Sequence, residues 1–167
     1  MTKAVYVNLS HCIACKACEL ACEREYGEAR VRVEVVLNGA GGGVGVPVSC
    51  RQCETPFCAL ACPENALGRE VDGLKFDSGL CSDCGLCVLA CPFGAIELKK
   101  AGGGSGTSFL NLSGTVVRCE LCPGKETPVC VATCPAGALV YTDCESFGKN
   151  IRRGKGKKCL KPSPAPL

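Results

Sequence analysis

Four tightly spaced groups of cysteines constrain this chain more than any other feature. They take in all but two of its 18 cysteines. The members are Cys12, Cys15, Cys18 and Cys22 in group one; Cys50, Cys53, Cys58 and Cys62 in group two; Cys81, Cys84, Cys87 and Cys91 in group three; and Cys119, Cys122, Cys130 and Cys134 in group four. Only 5% of the 167 residues are aromatic, so we expect bound groups to help fill the interior.

Disulfides are the first alternative for so many cysteines, but they need an oxidising compartment. No secretory signal precedes Cys12, and no run approaches the roughly 20 apolar residues that span a bilayer. We therefore expect a cytoplasmic protein with reduced thiols and no membrane span.

The spacing within the groups favours iron–sulfur clusters. Groups one and three read C-x2-C-x2-C-x3-C, and in three groups a proline follows the last cysteine. Three closely spaced thiolates can surround a cubic cluster, while the fourth, on the first turn of a helix, ligates a partner cluster as in two-cluster ferredoxins. Structural zinc uses separated cysteine pairs instead, and remains the metal-binding alternative. The spacing predicts four [4Fe–4S] clusters.

The cysteine pattern is also duplicated within the chain. The first six cysteines recur 69 positions later, from Cys81 to Cys122, and Cys58 and Cys62 recur 72 positions later. Spacing alone leaves two arrangements open, because group one could exchange its fourth ligand with group two or with group four.

Short β-like segments separate the cysteine groups. Strands are predicted at Ala4–Val7, Val31–Leu37, Ala95–Leu98 and Thr115–Val117. Residues 70–76 predict a hairpin around Asp72-Gly73, and a short helix should follow each third cysteine. The glycine runs 39–45 and 102–106 lack a phosphate-loop pattern and are interpreted as loop tips. The fold class is α+β: two pseudo-symmetric, loop-rich modules held together by clusters.

The chain resembles the four-cluster ferredoxin-like subunits of the dimethyl sulfoxide reductase and formate dehydrogenase type. It looks most similar to the short, anchorless members that serve CO dehydrogenases, hydrogenases and tungsten aldehyde oxidoreductases. The resemblance covers about residues 3–142 and is carried by the runs Cys50–Cys58, Cys87–Ile96, Arg118–Cys122 and Pro128–Pro135.

This resemblance implies how the fourth ligands are exchanged. It pairs group one with group four, and group two with group three. The implied ligand sets are Cys12, Cys15, Cys18 with Cys134; Cys119, Cys122, Cys130 with Cys22; Cys50, Cys53, Cys58 with Cys91; and Cys81, Cys84, Cys87 with Cys62. The bacterial-ferredoxin-like modules would then be residues 1–48 with 108–145, and residues 49–107, followed by a basic, proline-rich tail at 146–167.

The resemblance implies a non-catalytic subunit that relays single electrons through the clusters. Its partners would be a catalytic oxidoreductase subunit and a flavin or ferredoxin-type electron partner, with self-association open and no nucleic acid. A stand-alone polyferredoxin and a structural zinc protein are the alternatives. A cluster acting as a catalytic Lewis acid would need a missing cysteine ligand, and every group has four.

A few residues fall outside the pattern. His11, the sole histidine, adjoins Cys12, but all sixteen ligand positions are already cysteines. Cys144 and Cys159 are interpreted as free thiols. Six of the 19 basic residues lie between residues 152 and 161, and we expect this segment to dock on an acidic partner or to remain solvated.

Overall fold

The computed structural model describes residues 3–37, 43–71, 73–100 and 114–152. The strands are β1 Ala4–Val7, β2 Arg32–Leu37, β3 Gly43–Val48, β4 Leu67–Glu70, β5 Gly73–Phe76, β6 Ile96–Lys100, β7 Gly114–Arg118 and β8 Leu139–Thr142. The helices are α1 Ala17–Tyr26, α2 Phe57–Leu60, α3 Leu86–Ala90, α4 Val129–Thr133 and α5 Cys144–Arg152, and a 3-10 turn spans Leu9–His11. The α+β mixture of short helices and strands is confirmed.

Every strand pairs in a two-stranded antiparallel ladder. β1 pairs with β8, β2 with β3, β4 with β5, and β6 with β7. Three of these ladders join strands that follow each other along the chain. The β1–β8 ladder instead joins the two ends of the described chain, with Val7 opposite Leu139. Isolated two-stranded ladders are marginally stable, so other contacts must support them.

The chain divides into two compact units. The first, called the outer unit, contains residues 3–49 and the described residues from 121 onward. The second, called the middle unit, contains the described residues between 50 and 120. The outer unit thus holds the β1–β8 and β2–β3 ladders, and the middle unit holds the other two.

Each unit has a small core built from aliphatic residues and cysteines. In the outer unit the core consists of Val5, Val31, Val33, Leu139, Cys18, Cys22 and Cys130. In the middle unit the buried apolar residues include Ala66, Leu67, Leu74, Ile96, Val116 and Val117. The thiols are therefore part of the interior.

The helices start earlier than predicted, which corrects one expectation. Each of α1 to α4 begins one residue before the third cysteine of its group, so the third cysteine and not the fourth lies on the first turn. In α2, α3 and α4 the helix ends before the fourth cysteine, because a proline follows that cysteine and disfavours helical backbone before it. In group one Glu23 follows Cys22, so α1 continues to Tyr26 and ends at Gly27.

The first glycine run is not entirely a loop. β3 begins at Gly43, and Gly45 pairs with Val35 of β2. A Cβ atom at Gly45 would lie 2.8 Å from the Cβ of Ala14 and 3.0 Å from the Sγ of Cys12. Glycine is therefore needed in this strand because the group-one loop packs directly against it. Residues 39–42 and the second glycine run lie outside the described residues.

The remaining predictions can be compared with the same elements. β1 has the predicted bounds, and the other predicted strands differ from the observed ones by one or two residues at their ends. The hairpin is present as β4 and β5, although β4 begins at Leu67 and Asp72 lies outside the described residues. β3, β8 and α5 were not predicted. No described helix is long and apolar enough to cross a membrane.

Candidate metal centres

A left-handed residue shapes the loop in all four cysteine groups. It is always the second residue after the first cysteine: Ala14 at φ 55°, Gln52 at φ 51°, Asp83 at φ 54° and Leu121 at φ 60°. A non-glycine residue in this region costs about 1 kcal/mol, so four repeats of it indicate a conformation that the structure enforces.

Groups one, three and four each have a second left-handed residue; in group four it is the second cysteine itself, Cys122 at φ 55°. Lys16 at φ 58° and Gly85 at φ 73° follow the second cysteine and form the N-caps of α1 and α3. In groups two and four, which have longer spacings, the N-caps are Pro56 and Pro128. Proline suits the start of a helix because it has no N–H to leave unpaired.

The outer unit contains a cavity surrounded by four thiols. It has an empty volume of about 310 Å³ and is lined by Cys12, Cys15, Cys18 and Cys134. Its other walls are mainly apolar and include Val33, Pro47 and Leu139. The three cysteines of one loop and the last cysteine of a distant group therefore face the same space. We call it the outer cavity.

The middle unit contains an equivalent cavity of about 320 Å³, which we call the middle cavity. Its thiols belong to Cys62, Cys81, Cys84 and Cys87, and Leu67, Phe76 and Val116 add apolar walls. These four cysteines are the repeat counterparts of the four in the outer cavity. The duplication of the sequence is thus matched by a duplication of the thiol sets.

Backbone N–H groups point at several sulfur atoms. Cys-Pro turns provide two of these contacts: the N–H of Ala95 donates to the Sγ of Cys91 at 3.4 Å, and the N–H of Ala138 to that of Cys134 at 3.3 Å. In each turn the glycine one residue earlier, Gly94 or Gly137, bonds back to the cysteine carbonyl. Such donors stabilise negative charge on sulfur.

Cys22, which lacks a following proline, obtains its donor differently. The N–H of Arg30 donates to the Sγ of Cys22 at 3.2 Å, from the segment that follows the longer helix α1. In the middle unit the N–H of Asp83 donates to the Sγ of Cys81 at 3.4 Å.

The other eight cysteines of the four groups do not line either cavity. Four of them lie close together in the middle unit: Cys50, Cys53, Cys58 and Cys91. Besides burial, the charges of Cys53 and Cys91 raise the pKa of Cys50, and those of Cys50 and Cys91 raise the pKa of Cys58. In the outer unit Cys22 and Cys130 both belong to the core, and burial and the charge of Cys122 raise the pKa of Cys22. Cys119 is buried in the middle unit, where its carbonyl accepts a hydrogen bond from the Nε2 of Gln52 at 3.1 Å.

Burial makes these thiols reluctant to ionise without a metal. It raises the pKa of Cys18 to about 11, and burial together with neighbouring thiols raises the pKa of Cys58 to about 11. Because a metal binds the thiolate, loading these sites must release protons and becomes easier as pH rises.

The donor chemistry fits a cysteine-ligated iron–sulfur cluster. Each cavity offers four thiols, apolar walls and N–H groups close to sulfur, which are the features that hold and tune such clusters. Within the described part of the chain, no three His, Cys, Asp or Glu side chains have the arrangement of a single-ion site.

Residues outside the cysteine groups have less central positions. His11 ends the turn before Cys12. Cys144 is exposed and free at the start of α5, and Cys159 lies outside the described residues. Sequence reasoning missed a buried polar set in the middle unit. There Gln52, only 5% exposed, accepts a hydrogen bond from the N–H of Leu74 at 2.9 Å, and Arg118 is likewise buried. No spacing rule marks either residue.

Several known proteins are similar to this chain in sequence. Residues 9–27 and residues 74–97 each match a 4Fe-4S binding domain family. An iron-sulfur protein of Rhodospirillum rubrum is 30% identical, over 94% of this chain and 90% of its own length. Electron transport protein HydN of Escherichia coli (strain K12) is 33% identical, over 86% of this chain and 89% of its own. Formate hydrogenlyase subunit 2 of the same strain is 31% identical, over 92% of this chain and 88% of its own.

The thiol-lined cavities and these matches define an iron–sulfur protein with [4Fe–4S] clusters as its cofactor. The chain belongs to the family of 4Fe–4S ferredoxin-like electron-transfer proteins.

Proposed function

We propose that this chain holds four [4Fe–4S] clusters and relays single electrons between a catalytic redox subunit and a second electron partner. The observation that carries the proposal is the pair of equivalent cavities, each with four thiols from two different cysteine groups. A [4Fe–4S] cluster, when bound, supplies a centre that gains and loses one electron.

The ligand sets we propose follow the exchange of fourth cysteines. Support for two of them comes from the thiols that line the outer and middle cavities. Support for the set of Cys50, Cys53, Cys58 and Cys91 comes from their proximity: besides burial, Cys53 and Cys91 raise the pKa of Cys50, and Cys50 and Cys91 raise the pKa of Cys58. Two observations support the set of Cys22, Cys119, Cys122 and Cys130. Besides burial, the charge of Cys122 raises the pKa of Cys22, and Cys22 lies in the same core as Cys130.

The protein groups around the sulfurs would do three things. The thiolates hold the iron, the N–H groups of residues such as Ala138 and Arg30 stabilise charge on sulfur, and the apolar walls limit access of water. Together these control the potential of each site. No residue in this arrangement is needed as a base or a nucleophile, so we propose a carrier rather than an enzyme.

The partner we propose is the catalytic subunit of a cytoplasmic tungsten or molybdenum oxidoreductase, CO dehydrogenase or hydrogenase. One relative is by its name a subunit of a larger enzyme, formate hydrogenlyase, which supports membership in a complex.

The test is anaerobic iron and sulfide analysis of the purified full chain, with EPR spectroscopy before and after reduction. We expect iron and sulfide in equal amounts, near sixteen atoms of each per chain for four clusters, and signals of reduced [4Fe–4S] clusters. Zinc in place of iron, or iron that remains silent on reduction, would overturn the electron-transfer proposal. Isolation under the same conditions together with its co-purifying subunits then identifies the partner.

A further inference from the structure

Arg118 is a buried cation next to a cysteine group. It is the last residue of β7, and only 3% of it is exposed. Its Nη2 donates to the carbonyl of Leu74 at 3.0 Å, and its Nη1 donates to the carbonyl of Cys119 at 3.3 Å. Its Nε is buried with no hydrogen-bond partner among the described residues.

The charge of Arg118 is poorly balanced by carboxylates. Within the described part of the chain, the carboxylate in ion-pair range is that of Glu120, whose Oε1 lies 3.8 Å from Nη2. The Glu120 side chain is 37% exposed, so solvent screens it. Burying a charge costs several kcal/mol unless it is paired, and carbonyl oxygens offset this only in part. The position therefore calls for further negative charge nearby.

The hydrogen bonds of Arg118 tie it to the group-two loop. Gln52, in the middle of that loop, bonds to the same two residues: its Nε2 donates to Cys119, and its Oε1 accepts from Leu74. Arg69 fixes the same loop by donating from Nη1 to the carbonyl of Gln52 at 2.8 Å. Arg118 is thus held beside a loop that contributes Cys50 and Cys53.

The charge also reaches a thiol of that loop. Cys50 is buried, and Arg118 lies near enough for its positive charge to act on the sulfur of Cys50. Cys50 is in turn close enough to Cys53 and Cys91 for their charges to matter.

The sequence repeat shows that this cation is not required by the fold. The residue 69 positions before Arg118 is Ser49, which likewise directly precedes the first cysteine of its group. Ser49 is 2% exposed and neutral. The same buried position thus accepts a small neutral residue in one half of the repeat and a guanidinium in the other.

We propose that Arg118 is the countercation of the thiolates of Cys50, Cys53, Cys58 and Cys91, and that it raises the reduction potential of the cluster they hold. Reduction adds one negative charge, which a nearby buried cation stabilises. Arg118 would not bind iron itself; its positive charge would shift the potential of the cluster from outside the ligand set. This inference rests on the proposed function.

The experiment compares Arg118→Met with Arg118→Lys in the full, cluster-loaded chain, using an anaerobic redox titration followed by EPR. Arg118→Met should lower the potential of one cluster and leave the others in place. A tenfold weaker one-electron reduction corresponds to a fall of about 59 mV. Arg118→Lys, which keeps the charge, should restore most of the shift. Because the cation is buried, the shift should persist at high salt. Lys75→Gln, which removes an exposed cation from β5, is the control and should shift nothing.

Each outcome decides the inference. An unchanged potential in Arg118→Met would overturn the inference, because that variant lacks both the charge and the hydrogen bonds. An equal fall in Arg118→Lys would overturn it as well, because it would show that the hydrogen bonds and not the charge set the potential. If Arg118→Met fails to load iron, Glu120→Gln decides instead. Removing that partial counter-anion should raise the same potential, and an unchanged or lower value overturns the proposal. Redox-silent iron in the unsubstituted chain would contradict the proposed function itself, which separates the two failures.

Discussion

The outer and middle cavities are lined by equivalent sets of four thiols, but the charged side chains beside them differ. The turn residue before the second cysteine is Ala14 in the outer cavity's loop and Asp83 in the middle cavity's loop. The helix cap after that cysteine is Lys16 in the first and Gly85 in the second. The duplicated fold therefore kept its cysteines and its left-handed turns while the charges beside them diverged.

This difference has an electrostatic consequence. At the outer cavity Lys16 forms an ion pair with Glu19 at 3.6 Å, so the two charges largely offset each other. At the middle cavity the carboxylate of Asp83 lies 3.5 Å from the Sγ of Cys81 and opposes added negative charge. The two equivalent sites should consequently differ in potential, the outer one being easier to reduce.

The largest expected effect comes from removing the fourth thiol of either cavity. Cys134→Ala should eliminate the outer site and Cys62→Ala the middle site, each lowering the iron content by about one quarter if four clusters are bound. Iron analysis and EPR of the two variants would show the loss of a different signal in each.

Cys144→Ala is the matched control, because this exposed cysteine lies outside the four groups and should leave the iron content unchanged. If Cys22→Ala, and not Cys134→Ala, removed the signal assigned to the outer site, each group would supply its own fourth ligand and the comparison of cavities would be wrong.

A smaller effect is expected at the helix caps. Gly85→Ala places a Cβ at φ 73° and should lower the free energy of unfolding by about 1 kcal/mol. Lys16→Gly relieves the same strain at φ 58° and should cost nothing or stabilise by up to about 1 kcal/mol. Guanidinium unfolding of the loaded protein, followed by its visible absorbance, measures both.

Gly68→Ala serves as the comparison, because a Cβ there meets no atom within 4 Å. If Gly85→Ala and Gly68→Ala lowered the free energy of unfolding equally, the left-handed backbone at position 85 would not be the cause of the loss.

The smallest effects are expected on the reduction potentials when the charge of Asp83 or of Lys16 is removed. Asp83→Asn should raise the potential of the middle site, and Lys16→Gln should lower that of the outer site. Each shift should stay below about 59 mV, since both side chains are partly solvated. An EPR redox titration at low and high salt measures these shifts, which should shrink as salt rises. Shifts of the opposite sign would show that charge does not distinguish the cavities.

Much of the local structure could be predicted from the sequence. Strong alternation marked β2, and a run of apolar residues marked β1 with its observed bounds. β3 was missed because Gly43 and Gly45 weaken the strand pattern. The requirement for glycine at position 45 arises from Ala14, a residue distant along the chain. β8 was missed because four residues following a turn give little signal until β1 pairs with them.

The site shows the same limit. The cysteines could be recognised from spacing alone, since that spacing is a local property of each loop. The thiols that share a cavity could not, because Cys18 and Cys134 meet only after the chain has folded. The role of Arg118 could not be recognised from the sequence either, because it depends on the burial of the side chain and not on the position beside Cys119.

The β1–β8 ladder brings the beginning of the chain to a segment that is made much later. The four thiols of the middle cavity lie between Cys62 and Cys87, and its last wall residue is Val116, so it can form before Cys134 emerges from the ribosome. The outer cavity must wait for Cys134, and until then Cys12, Cys15 and Cys18 lack their fourth thiol. We therefore expect the middle site to be loaded first. The N-terminal loop, although synthesised earliest, stays longest exposed to oxidants and competing metals.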